Sequence, residues 1–249
     1  MFVIIGFLIV IGGVIGGYLL EHGHLEVLFQ PAALVIIGGA ALGTVFIANP
    51  ISTVVQILKG LLRVFSPNPF NKAFYLDNIK MLSQLFNYAR KEGLVKLEAD
   101  ADEPSKSQIF TKYPKFLKNH HALHFVCDTL RTAITGGANH FDLDHMMEQD
   151  IETHHREAEE PVSALSTVAD SLPGLGIVAA VLGVVITMGA LGGPPEEIGH
   201  KVAAALVGTF LGILLCYGFI GPLAANMKKY NEAELQYFNF LRVGLVSFV

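Results

Sequence analysis

Four apolar runs interrupt this chain, and none of them contains Asp, Glu, Lys, Arg or His. They occupy residues 1–20, 32–48, 172–191 and 202–222, with 20, 17, 20 and 21 residues. A helix rises ~1.5 Å per residue, so ~20 residues cross a ~30 Å hydrocarbon core. Even the shortest run falls within the usual span of roughly 17–25. A segment in lipid must satisfy its own backbone hydrogen bonds, which favours helices. The pattern therefore predicts four transmembrane helices. Composition agrees: 52% of residues are hydrophobic, 16% are charged and mean hydropathy is +0.49. An ordinary soluble domain carries about 25% charged residues. The first run lacks a basic leader and a small-residue cleavage site, so it reads as a retained span.

The charges divide the chain. Residues 1–50 hold no Lys or Arg, whereas residues 51–170 hold 13 of the 17 basic and 16 of the 22 acidic side chains. Basic residues accumulate on the cytoplasmic side of a membrane. The block 51–170 is therefore expected in the cytoplasm, with both termini, and the short linkers 21–31 and 192–201 outside. The second linker contains Gly192-Gly193-Pro194-Pro195, a turn signal. The expected organisation is a first transmembrane hairpin (1–50), a helical cytoplasmic domain (51–170), a second hairpin (171–224) and a cytoplasmic C-terminal helix (225–249).

The central block has helical spacing. Leu76, Ile79, Leu82, Phe86 and Ala89 recur every three or four residues, as do Leu123, Val126, Leu130 and Ala133. Gly93 punctuates the first helix, and Thr135-Gly136-Gly137 ends the second. A polar helix from Phe141 to about Glu160 leads into the third span near Pro161. No β pattern of any length is present. The fold class is all-α: a polytopic membrane protein with a helical domain between the second and third spans.

Several functions are excluded or disfavoured. Net charge is −5 with no basic stripe, which opposes nucleic-acid binding. Cys127 and Cys216 are too few for a disulfide framework. His120, His121 and His124 cluster, as do His154 and His155, but no carboxylate completes a ligand set. They read as solvated helix faces rather than a metal site. No nucleophile–base pair points to an enzyme, and no cofactor is expected.

The spans carry small residues at i,i+4: Gly12/Gly16, Gly13/Gly17, Gly39/Gly43 and Gly208/Gly212. Such pairs let helices approach closely in lipid, which implies a tightly assembled, oligomeric bundle. Proton relays need a titratable group at depth, and this chain has none there, so a partner must supply it. Thr187, Thr209, Cys216 and Tyr217 are the polar groups at depth. They either line a hydrated path or hydrogen-bond to their own helices. Pro173 opens the third span and Pro222 closes the fourth. Each is either helix punctuation or a hinge that couples a membrane event to the cytoplasmic domain.

These residues resemble a known family. Leu172-Pro173-Gly174-Leu175-Gly176, continuing to Val185, is similar to the third span of MotA-like flagellar stator subunits. Gly208-Thr209-Phe210-Leu211-Gly212, with Tyr217-Gly218-Phe219-Ile220-Gly221-Pro222, resembles the fourth span. Gln30-Pro31-Ala32 with Ile36-Ile37-Gly38-Gly39 resembles the second. Ala89-Arg90-Lys91-Glu92-Gly93-Leu94 to Glu98 resembles the rotor-facing segment. The resemblance covers nearly the whole chain.

The resemblance implies a bacterial inner-membrane motor protein. Subunits of this kind form a ring, a pentamer, around a dimer of the single-span protein MotB, which supplies the membrane aspartate. Proton passage drives the ring against the rotor protein FliG. Arg90 and Glu98 match the charged positions that engage FliG, and Pro173 and Pro222 match the coupling prolines. Asp150 stands where many relatives carry glutamate, and Asp170 matches a family acid; both are assigned to assembly or coupling. Ala180 and Gly208 stand where sodium-driven relatives carry threonines, and neither offers a side-chain oxygen, so protons are the expected ion. Ala180, Thr187, Thr209 and Tyr217 are the candidates for lining the path. Chains of this family usually continue some tens of residues past the position of Val249. The alternative is an ExbB/TolQ-like energy transducer serving the outer membrane. Such proteins usually have three spans and an outside N-terminus, which the four runs oppose. A self-sufficient transporter would need the buried ionisable group that is missing.

Overall fold

The computed structural model describes residues 2–136, 139–189, 192 and 194–247, with the backbone alone at 94 and 95. Gly137, Gly193, Phe248 and Val249, parts of the expected turns and C-terminal helix, lie outside the described residues, as does the side chain of Leu94.

The described residues are helical throughout and contain no strand. Helix α1 (Phe2–Leu20) is followed by one short turn, α2 (Leu25–Leu28), and by α3 (Pro31–Ala48). Pro31 sits in the first turn, where a missing N–H costs nothing. Then come α4 (Ile51–Val64), α5 (Lys72–Glu92), α6 (Leu94–Asp102), a 3₁₀ turn (Phe110–Lys112), α7 (Pro114–Leu117) and α8 (His120–Ile134). Asn71 and Asn119 cap α5 and α8 by accepting from the N–H of Phe74 (3.0 Å) and Ala122 (3.2 Å). The 49-residue α9 (His140–Met188) and α10 (Pro195–Leu214) follow; α10 continues through a π-helical turn (Leu215–Ile220) into α11 (Gly221–Val246). Four helical stretches are long and apolar enough to cross a membrane: Phe2–Leu20, Leu25–Ala48, and parts of His140–Met188 and Pro195–Val246.

The prolines do not punctuate these helices. Pro173 lies inside α9, together with Pro161, and Pro222 is the second residue of α11. A proline inside a helix removes one donor and crowds the carbonyl four residues back. At Pro222 the π turn immediately upstream absorbs this. The Gly221 N–H donates to the Cys216 carbonyl, five residues back rather than four. The same bunching explains Gly221: a Cβ there would stand 2.9 Å from the Cys216 oxygen.

The chain forms two compact units. One comprises Met1–Pro67 and Glu159–Lys229. In it, Ala33, Ile37 and Ala41 of α3 pack with Ala169, Leu172 and Ala179 of α9 and with Cys216. A second cluster joins Ile57 and Val64 of α4 to Val162, Leu165, Leu223 and Met227. Helix α1 buries no residue; it touches its neighbours through Phe7, edge-on to Phe219 at 5.1 Å.

The other unit comprises Asn68–Ala158 and Tyr230–Val249. Its core is closed. Met81, Leu85, Leu97, Phe110, Val126, Leu130, Leu143, Leu241 and Leu245 are all essentially inaccessible. Tyr237 is fully buried among Phe70, Phe74, Tyr75 and Phe240, and its hydroxyl donates to Asn78 Oδ1 at 3.0 Å. Asn78 in turn donates to the Phe74 carbonyl at 2.6 Å, so the buried polar pair is satisfied. Arg131 ties α8 to α6 through Asp102 (2.7 Å) and the Ala101 carbonyl (2.7 Å).

Candidate ion path and charged contact segment

The third and fourth spans touch backbone to backbone. A Cβ on Gly212 would lie 2.5 Å from the Leu172 oxygen and 2.8 Å from the Gly176 Cα. A Cβ on Gly176 would lie 2.9 Å from the Gly208 oxygen, and one on Gly183 would overlap Ala205. Only glycine fits such an approach. The spacing of Gly208 and Gly212 announces this contact in the sequence. Its counterparts Gly176 and Gly183 stand seven apart, outside the i,i+4 pattern.

The polar candidates distribute around this seam. Thr187 is buried and its hydroxyl donates to the Gly183 carbonyl at 2.8 Å, within its own helix. Thr209 and Ala180 are half-buried. The Ala180 backbone nitrogen lies 3.1 Å from where a Gly208 Cβ would be, so Ala180 belongs to the seam itself. Tyr217 is 74% exposed and faces outward from this chain. Cys216 is buried in the apolar cluster of α3 and α9. The structure thus brings Ala180 to the seam and leaves Tyr217 away from any packed neighbour in this cluster.

Pro173 is half-buried one residue after Leu172, whose carbonyl abuts Gly212. Asp170 is exposed in the preceding turn. Pro222 lies between the π turn and buried Leu223. Pro222 thus follows a turn whose regular hydrogen bonding is already broken, whereas Pro173 lies inside a continuous helix at the glycine seam.

The charged segment lies in the second unit. Arg90 is exposed in the last turn of α5, where a cation complements the helix C-terminus. Gly93 then takes φ +89°, a left-handed conformation that suits glycine, and α6 begins at once. Glu98 is half-buried on α6, next to inaccessible Leu97. Between them Glu92 and Lys96 form an exposed ion pair, whose hydrogen bond holds the Glu92 carboxyl below its usual range. Arg90 also lines a groove between α5 and α11, walled by Ile79, Phe86, Phe240 and Val243. Asp150 is exposed on α9. Among the described residues no group of three His, Cys, Asp or Glu could hold a metal ion.

The fold and this seam define a polytopic helical membrane protein whose spans carry no ionisable side chain of their own. Residues 4–93 match the model of the motility protein A N-terminal domain, and residues 117–239 match that of the MotA/TolQ/ExbB proton channel family. Motility protein A of Salmonella typhimurium is 41% identical over 99% of this chain and 84% of that one. The Escherichia coli protein of that name is 42% identical over the same shares. Chemotaxis protein LafT of Vibrio parahaemolyticus is 35% identical over 98% of this chain and 86% of its own length. Among solved structures, the flagellar MotAB stator complex from Bacillus subtilis matches with a TM-score of 0.77 at 24% identity, over 98% of this chain and 88% of that one. C. jejuni MotAB matches with a TM-score of 0.79 at 18% identity, over 99% and 88%. At those identities the two structures speak to fold. The chain belongs to the MotA/TolQ/ExbB proton channel family, as a MotA-like member.

Proposed function

We propose that this chain is the stator subunit of a flagellar motor. With a MotB-like single-span partner it conducts protons across the bacterial inner membrane and converts the gradient into torque on FliG. One observation carries the reading: four spans with no ionisable group at depth, in a chain of a proton channel family. A proton relay needs a titratable group, so the aspartate comes from the partner. The open glycine faces of α1 and α3 fit further copies in a ring, for which we propose a pentamer around a MotB dimer.

In this scheme both termini and the charged unit are cytoplasmic. The seam of Ala180, Gly208 and Gly212 borders the path, with Thr187, Thr209 and Tyr217 as further lining candidates once copies assemble. Pro173 and Pro222, with Asp170 beside the third span, transmit the partner's protonation to the cytoplasmic unit. Arg90 and Glu98 meet the rotor, and Asp150 supports assembly or coupling. The match of residues 4–93 to the motility protein A N-terminal model favours this over an ExbB/TolQ-like transducer.

The test is rotation of tethered cells lacking this protein, with and without its re-expression, under varied proton and sodium gradients. Flagellated, paralysed cells rescued in proportion to the proton gradient are the expected result. Rescue that follows sodium would reverse the ion assignment, and normal rotation in the deletion strain would remove the stator role. In the rescued strain, Arg90→Glu should abolish most torque at unchanged membrane level.

A further inference from the structure

The two histidine clusters differ in their surroundings. His120, His121 and His124 are exposed, as the sequence predicts. His154 is not on a solvated face: it is half-buried, and its Nε2 is shielded from solvent without a hydrogen-bond partner. Its ring lies 4.7 Å from that of His121 on α8 and 5.1 Å from Phe238 on α11. Beside it is a cavity of about 10 Å³, lined also by Ile151, His155, Asn231 and Glu234. That is at the lower limit for one water, ~10–15 Å³. Glu234 is buried at 7% exposure, and Asn231 closes the cavity by donating to the Ala158 carbonyl at 2.6 Å.

We propose that His154 is a proton-binding site of the second unit, and that taking up a proton loosens the packing of α8 and α11 on α9. The neutral ring packs, tilted, between an imidazole and a phenyl ring. Both nitrogens of an imidazolium donate, and Nε2 as packed meets no acceptor, so a proton there places a charged donor in a shielded site. Burial is the main force holding the His154 pKa below its ordinary value, and His121 acts in the same direction. Glu234 on α11 and Asp150 and Glu157 on α9 oppose it and are outweighed. His155, which shares the cavity, lies on the same helix.

The sign follows from linkage. The packed state holds its proton less tightly than the opened state, whose histidine titrates near ~6.5. Packing is therefore full above that value and weakens as pH falls toward the packed-state value. Resting on the stator reading for its consequence alone, this makes the rotor-facing unit responsive to cytosolic acidification, independently of the gradient across the membrane.

Hydrogen–deuterium exchange on the full subunit complex in lipid nanodiscs, between about pH 7.5 and 5.5, brackets the ordinary histidine range near ~6.5. After correction for intrinsic chemistry, wild-type exchange in residues 120–134, 145–158 and 230–246 should speed up below about pH 6.5. One proton sets a ceiling of about tenfold per pH unit. His154→Gln should be flat, and exposed His124→Gln should behave as wild type. If His154→Gln does not assemble, His154→Phe keeps a ring between His121 and Phe238 without the proton. A flat wild-type profile, or an undiminished slope in either His154 variant, would overturn the proposal. Tethered cells acidified with a permeant weak acid separate the two readings. Exchange that responds in a protein unable to restore rotation would leave the proton site standing and sink the stator role.

Discussion

The membrane unit and the second unit meet the same problem, burying apolar surface, in different media. In the second unit the large side chains close on one another: Tyr237, Phe110, Met81 and Leu85 have no access to solvent. In the membrane unit Ile4, Leu8, Ile9, Val181, Val185 and Ile186 remain exposed, and α1 buries nothing. Water drives the first arrangement through the hydrophobic effect. Lipid exerts no such drive between helices, so close backbone packing holds the spans. The glycines make the contrast sharper. Gly176, Gly208 and Gly212 interlock within the chain, whereas Gly12, Gly16, Gly39 and Gly43 face open space. One unit closes its apolar core within the chain, and the other leaves part of its apolar and glycine faces open.

On that difference, the largest single-residue effect belongs in the closed core. Tyr237→Ala should destabilise the second unit by about 3–5 kcal/mol, the range for emptying a large aromatic site. Tyr237→Phe should cost about 1–3 kcal/mol by orphaning Asn78 Oδ1. Exchange protection of α5 and α11 reads both, and a loss confined to the membrane spans would contradict the division. Next comes the seam. Gly212→Ala places a methyl 2.5 Å from the Leu172 oxygen, a backbone atom that cannot turn aside. Overpacking of this kind costs about 1–3 kcal/mol. The unfolding midpoint in mixed micelles should fall, and wild-type behaviour would mean that the spans are looser than they stand here.

Much of this was legible because it is local. Charge-free runs mark the spans, and the recurrence of Leu76, Ile79, Leu82, Phe86 and Ala89 marks α5. What was missed depends on residues far apart in the chain. His154 looks solvated in sequence because its neighbours on α9 are polar; the Phe238 that shields it lies on α11. Tyr237, Leu241 and Leu245 recur every four residues and could have been read as a core face, yet they merge into an apolar C-terminal run. For Pro173 and Pro222 the sequence leaves helix punctuation and a hinge both open, because an isolated proline often breaks a helix. Here α9 is anchored by packing on both sides of Pro173, and a π turn accommodates Pro222. Of the two residues proposed to meet the rotor, the local periodicity reaches Arg90 at the end of α5, but the family resemblance alone singled out Glu98.

A smaller effect tests the electrostatics of the second unit. Arg242 donates to both carboxylate oxygens of Asp144, at 2.6 and 2.8 Å, and holds that carboxyl below its usual range. A lowered carboxylate contributes stability above its unfolded value, ~3.9, and loses it as pH falls through the folded value. Asp144 is partly exposed, so solvent screening limits the pair to about 1 kcal/mol or less. Arg242→Gln should lower stability by that amount at neutral pH and flatten the profile only below about pH 4. Change well above that range instead would assign the acid response to a group other than this pair.

The smallest expected effect is the most discriminating. Gly39→Ala adds a methyl that meets nothing within 4 Å of this chain. A substitution into open space usually shifts stability by less than about 0.5 kcal/mol. The mixed-micelle midpoint of the isolated chain should therefore match wild type, in contrast to Gly212→Ala. In the assembled complex the same methyl should weaken association, because a small-residue face serves close approach by another helix. Mass measurement of the complex in nanodiscs reads that difference. Equal loss in the isolated chain for both glycines would erase the distinction between the interlocked and the open faces. An unchanged complex would mean that α3 presents Gly39 to lipid rather than to a neighbouring helix, and the proposed partner helices would have to dock elsewhere.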